Sequence, residues 1–195
     1  MRALLFFLLL ALPCRAEEMP ALYSVTGVAA WDVLNIRERP EAGAPILGTL
    51  APDATGVELL AVEGDWALVN AGERAGYASL RYLEREAGPD WNALKQPLTC
   101  LGTEPFWSLR IDPAQGTARL STPEAEGEPL PIRQAWPGQP RARAAALSLP
   151  VGMVVLSPAA CSDGMSDRSY GIAADLFLDS PAPDRLGGCC TIQPP

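Results

Sequence analysis

The adjacent pair Cys189-Cys190 limits what this chain can fold into more than any other feature. Neighbouring cysteines do not easily reach disulfide geometry with each other. On an extended segment their side chains leave on opposite sides, so each needs a partner elsewhere. Cys100 and Cys161 are the candidates, because the fifth cysteine, Cys14, lies in a segment that reads as a removable leader. Four cysteines in an exported chain predict two disulfides, joining Cys100 and Cys161 to Cys189 and Cys190 in either order. A metal site is the competing use of four cysteines, and the absence of a paired Cys-x-x-Cys spacing argues against it.

The leader reading rests on Arg2, the apolar run 3–12, the helix-breaking Pro13 and the small residues Cys14 and Ala16. A charged start, a short apolar core and a small-x-small ending form a secretory signal peptide, residues 1–16. The run is too short for a membrane span, which needs about 20 apolar residues. Lipid anchoring at Cys14 is the alternative, and Pro13 is a poor residue to precede a lipidated cysteine. A periplasmic or secreted protein is therefore expected, with no transmembrane span. Cleavage removes Arg2 and Arg15, which leaves 13 basic against 23 acidic side chains and a net charge of −10.

Composition then excludes chemistries. The chain has no histidine, which removes the Ser-His-Asp and Cys-His nucleophile systems and imidazole-ligated zinc. The acidic balance argues against nucleic acid, whose phosphates require clustered Lys and Arg; Lys95 is the single lysine. Seventeen glycines and 20 prolines among 195 residues indicate a folded chain rich in loops.

Two halves follow from the pattern of short apolar runs. Residues 22–84 read as strands separated by Gly, Pro, Asp and Asn. Residues 85–97 are charged and turn-prone, with a brief helix expected around Trp91 to Lys95, and read as a linker. From Leu98 onward strands are expected at 106–111, 117–121, 130–136, 145–149, 153–156, 172–178 and 188–192. The fold class is all-β, with a second domain at 98–195 forming a disulfide-stapled antiparallel barrel or sandwich.

Leu34-Asn35-Ile36-Arg37-Glu38-Arg39-Pro40, Pro45 to Leu50, Gly64-Asp65-Trp66 and Gly76-Tyr77 to Leu83 occur in an order that resembles a bacterial SH3 domain. The resemblance implies a small barrel, a single helical turn near 79–82 and a non-catalytic binding role, often for peptidoglycan or peptide segments. The binding residues it suggests are Trp31, Asp32, Asn35, Arg37 and Tyr82. Trp66 is expected at the core edge and Tyr77 in the core, whereas Trp31 is divided between binding and packing.

In the second half, Cys100-Leu101-Gly102-Thr103-Glu104-Pro105-Phe106-Trp107, Cys161-Ser162-Asp163-Gly164-Met165-Ser166-Asp167-Arg168 and Gly187-Gly188-Cys189-Cys190 resemble a family of uncharacterised exported bacterial proteins. That resemblance implies a compartment and no chemistry. Glu104, Asp163, Asp167 and Arg168 flank the cysteines and are a candidate polar site. Paired carboxylates also allow a wall-hydrolase reading, although Ser162-Asp163-Gly164 is ordinary turn chemistry. No metal or other cofactor is implied.

The expected function is thus an exported, non-enzymatic envelope protein that binds peptidoglycan or an envelope protein or peptide. A cell-wall hydrolase and an inhibitor or partner of an envelope enzyme are the alternatives.

Overall fold

The computed structural model describes residues 18–179 and 181–193. The leader 1–16 and Cys14 lie outside the described residues. Strands account for the fold, joined by two single turns of 3-10 helix at Leu80–Tyr82 and Trp91–Ala93. The first turn stands where the SH3 resemblance put it. The second is shorter than the expected helix, because Leu94 adopts a left-handed backbone (φ 52°) that stops it.

The first sheet contains β1 (Ala21–Val25), β2 (Leu34–Arg37), β3 (Ile46–Leu50), β4 (Val57–Glu63), β5 (Trp66–Ala71), β6 (Arg74–Ser79) and β7 (Leu83–Arg85). Their order is β3-β2-β6-β5-β4-β1-β7 and every pairing is antiparallel. Alternation sets the core: Leu34 and Ile36, Ala67 and Val69, and Tyr23 and Val25 face inward while their neighbours do not. Gly64-Asp65 makes the two-residue turn between β4 and β5, with Gly64 in the left-handed region that a side chain would resist.

The second sheet has nine strands: β8 (Leu98–Thr103), β9 (Phe106–Asp112), β10 (Thr117–Ser121), β11 (Pro129–Pro131), β12 (Gln134–Trp136), β13 (Ala145–Leu149), β14 (Gly152–Cys161), β15 (Tyr170–Leu178) and β16 (Asp184–Thr191). The order is β11-β10-β9-β8-β16-β15-β14-β13-β12. The two outermost strands are consecutive in sequence. The expected strand 130–136 is therefore split, pairing with β10 through its first part and with β13 through its last. One segment thus caps both edges, and the sheet curls toward a barrel rather than stacking as a sandwich.

Leu98, Leu109, Ile111, Leu147, Val154, Leu156, Ile172 and Leu176 fill the interior of the curl. Trp91 and Leu94, from the stretch that reads as a linker, pack into the same core, with Trp91 fully buried.

Both disulfides belong to this sheet: Cys100–Cys190 and Cys161–Cys189. Cys190 lies directly opposite Cys100 on the neighbouring strand, and Cys189 reaches the end of β14 from the other face. The bonds close segments of 90 and 28 residues, each worth on the order of 3–5 kcal/mol as a separate restriction of the unfolded chain. The double variant Cys100→Ser/Cys190→Ser should accordingly lose about 2–5 kcal/mol in a urea titration of the purified protein. Stability equal to that of the parent would show that this bond does not hold the curl together.

Candidate functional site

The loop between β1 and β2 presents Trp31. Gly27 enters it with a left-handed backbone (φ 69°), and the Asp32 N–H donates to the Ala29 carbonyl at 2.9 Å, closing a turn with Trp31 on its outer side. Asp32 Oδ1 accepts from the Val33 N–H at 2.8 Å and fixes the turn's exit. Trp31 is 92% exposed. The packing role considered for it, burial between the two halves, is therefore not the one it has.

Around that loop the other SH3 candidates take different parts. Asn35 is half-buried on the face of β2 opposite Leu34 and Ile36. Tyr82 is partly buried against the first core, its backbone carbonyl accepts from the Thr26 N–H, and its ring lies beside Gly27 at the base of the loop. Arg37 is committed elsewhere. Its guanidinium donates to the Ala44 carbonyl at 2.8 Å and holds the 38–45 loop. Tyr77 departs from expectation. Gly76 and Ala78 are the buried residues of β6, so Tyr77 stands half-buried on the opposite face. Burial, together with the neighbouring Glu63 carboxylate, raises its phenol above 10.0. Trp66 is half-buried, as its place at the core edge requires.

The second set, Glu104, Asp163, Asp167 and Arg168, does not form one constellation of free acids. Glu104 occupies the tip of the β8–β9 hairpin. Asp163 organises its own loop: Oδ1 accepts from the Met165 and Ser166 N–H groups at 3.0 and 2.9 Å, and Oδ2 from the Ser166 and Tyr170 hydroxyls at 2.9 and 3.2 Å. Partial burial pushes the Asp163 carboxyl up, and these hydrogen bonds together outweigh it, holding the group below 3.8.

Asp167 and Arg168 tie the loop to the first sheet. The Asp167 carbonyl accepts from the Ala75 N–H at 2.8 Å, its carboxylate stands 3.8 Å from Arg74, and Arg168 donates to the Gly72 carbonyl at 3.2 Å. Among the described residues no group of three or more Cys, Asp or Glu is placed to hold a metal.

Two residues that the sequence reading passed over complete this junction. Asn70 pairs with the backbone of Ser169, donating to its carbonyl at 2.9 Å and accepting from its N–H at 3.0 Å. Glu58, only 3% exposed, accepts from the Thr191 hydroxyl and, at 3.0 Å, from the Ile192 N–H. Val57, Glu58, Leu59 and Leu60 are all buried, which a strand with one wet face does not show.

A cleft of about 420 Å3 opens beside the junction, lined by Leu60, Leu68, Pro158 and Tyr170 among others. The Arg143 at its edge faces Glu18 at 3.5 Å.

With this geometry in place, residues 32–84 match the bacterial SH3 domain family. The match supports an SH3 domain over this segment, and Trp31 stands immediately before it. The match does not extend to the second sheet. Neither curated protein sequences nor solved structures match the chain. Among the described residues no helix is long and apolar enough to cross a membrane, and the two disulfides point to an oxidising, non-cytoplasmic location.

Burial, the largest influence on Glu58, raises its carboxyl above 4.5 against the pull of its two donors. The folded protein therefore binds this proton more tightly than the unfolded chain. Glu58's contribution to stability is full below about pH 4.5 and is lost as pH rises through the higher folded-state value. In denaturation curves at successive pH values, Glu58→Gln should flatten that decline. Glu58→Ala should cost about 1–3 kcal/mol, because the buried Ile192 N–H loses its acceptor. A parent and Glu58→Gln pair with parallel pH profiles would contradict the assignment.

Proposed function

We propose that the chain is an exported, non-catalytic binding protein of the cell envelope, whose SH3 domain holds a peptide or peptidoglycan stem across the loop carrying Trp31. The observation that carries this reading is the 92% exposure of Trp31 on a loop whose turn is fixed by backbone and Asp32 hydrogen bonds. A large aromatic ring held outward on an ordered turn offers contact area at small entropic cost. Asp32 and Asn35 supply polar groups beside it, and Tyr82 forms the base of the loop. Arg37 belongs to the scaffold of the site, because its guanidinium braces the neighbouring loop.

The binding reading is favoured over a hydrolase by what the acids of the second half already do. Asp163 spends its oxygens on four internal donors, and Asp167 and Arg168 face the SH3 half. The Asp163 carboxylate is thereby engaged inside its own loop, and the Asp167 carboxylate stands beside Arg74 at 3.8 Å.

Trp31→Ala tests the proposal. Retention on purified peptidoglycan, and affinity for its soluble stem peptides, should fall by on the order of 1–2 kcal/mol, about 5–30-fold, while the melting temperature stays unchanged. Parent-like retention by a folded Trp31→Ala protein would contradict it.

A further inference from the structure

The Glu104-Pro105-Phe106-Trp107 motif lies far along the chain from the SH3 domain, and its side chains define a separate surface. Phe106, at the tip of the β8–β9 hairpin, is 50% exposed. Two depressions flank it, of about 500 and about 530 Å3, and they share Thr103, Phe106, Trp107, Thr122 and Pro123 in their walls. The first is closed off by Met165, which is 68% exposed, and Ser166. The second runs over Leu120, Leu178 and Leu186.

Their charged residues are all acidic. Glu73 and Asp163 line the first depression, Glu104 and Glu124 the second, and no Lys or Arg lines either. Glu73, Glu104 and Glu124 are exposed and make no ion pair among the described residues. Unpaired acids around exposed apolar side chains call for a ligand that brings both the cation and the apolar group.

We propose that this groove is a second binding site, for a protein segment that carries an apolar side chain flanked by lysine or arginine. Phe106 and Met165 provide the apolar contact, and Glu73, Glu104 and Glu124 receive the cations. The Trp107 indole N–H, buried against Gly102, has no acceptor among the described residues. An anionic ligand would meet four carboxylates with no compensating cation.

The 163–168 loop gives the groove its wall on one side and docks the Gly72-Glu73 turn of the SH3 half on the other. The site thus draws residues from both halves.

Fluorescence anisotropy of a labelled Lys-Leu-Lys-Lys-Leu-Lys peptide, titrated with the whole mature protein, tests the proposal. The controls are the same peptide with serine for leucine and with glutamate for lysine. The parent should bind the first peptide and neither control. Phe106→Ser at the start of β9 and Met165→Ser in the 163–168 loop should each weaken binding about tenfold. Glu104→Gln/Glu124→Gln should weaken it several-fold and reduce its salt dependence, while Glu41→Gln/Asp53→Asn, remote from the groove, should leave it unchanged.

Equal binding of the serine peptide, or equal loss in the remote pair, would reduce the effect to general attraction of a cation to an acidic protein and overturn the site. Absence of binding by the parent overturns it as well.

Discussion

The second half of the molecule, and its hold on the first, depend on four consecutive residues, Cys189 to Ile192. Cys190 is bonded to β8 on one side and Cys189 to the end of β14 on the other, so β16 is fixed within the centre of the nine-stranded sheet. Directly after them, Thr191 and the Ile192 N–H engage the buried carboxylate of Glu58 on β4. The covalent centre of one sheet is thereby the anchor point for the other. Asn70 with Ser169, and Ala75 with Asp167, make a second line of attachment through the 163–168 loop.

This arrangement sorts the polar residues by task. Of those that look reactive by type, Asp163, Arg168 and Glu58 are occupied within the protein, ordering a loop or joining the halves, while Asp167 joins them through its backbone carbonyl. Glu73 after β5, Glu104 between β8 and β9, and Glu124 after β10 lie at turns and make no ion pair among the described residues. Trp31 stands exposed on a turn and Phe106 on a tight hairpin, Trp136 and Phe177 are exposed on β12 and β15, and Trp91 and Trp107 are buried in the second core.

Much of the fold was legible in short-range pattern. The SH3 strands appear as alternation around Leu34-Asn35-Ile36-Arg37, and the Gly64-Asp65 turn by its residue types. The disulfide partners followed from the adjacency of Cys189 and Cys190, although their order did not. What escaped depends on tertiary placement. The β8 strand at Leu98–Thr103 was not among the expected strands, because Gly102 faces inward with no side chain; a Cβ there would overlap the Trp107 indole that covers it. The split of 129–136 between two sheet edges has no local signal, since it depends on how far the sheet curls. Glu58 and Asn70 are ordinary strand residues until another sheet covers them. Tyr77 was expected in the core with the SH3 resemblance, and the backbone alternation set by Gly76 and Ala78 turned it outward.

The central claim is that the two sheets are joined by specific hydrogen bonds from backbone N–H groups across the junction. Three amides report on it: Ala75, which donates to the Asp167 carbonyl, Ser169 to Asn70, and Ile192 to Glu58. Residue-resolved hydrogen exchange of the purified protein measures all three at once. The structure predicts that they exchange far more slowly than open-chain amides and lose protection together when Glu58 is replaced by alanine. Open-chain exchange at these three positions, while the amides within each sheet stay protected, would contradict it.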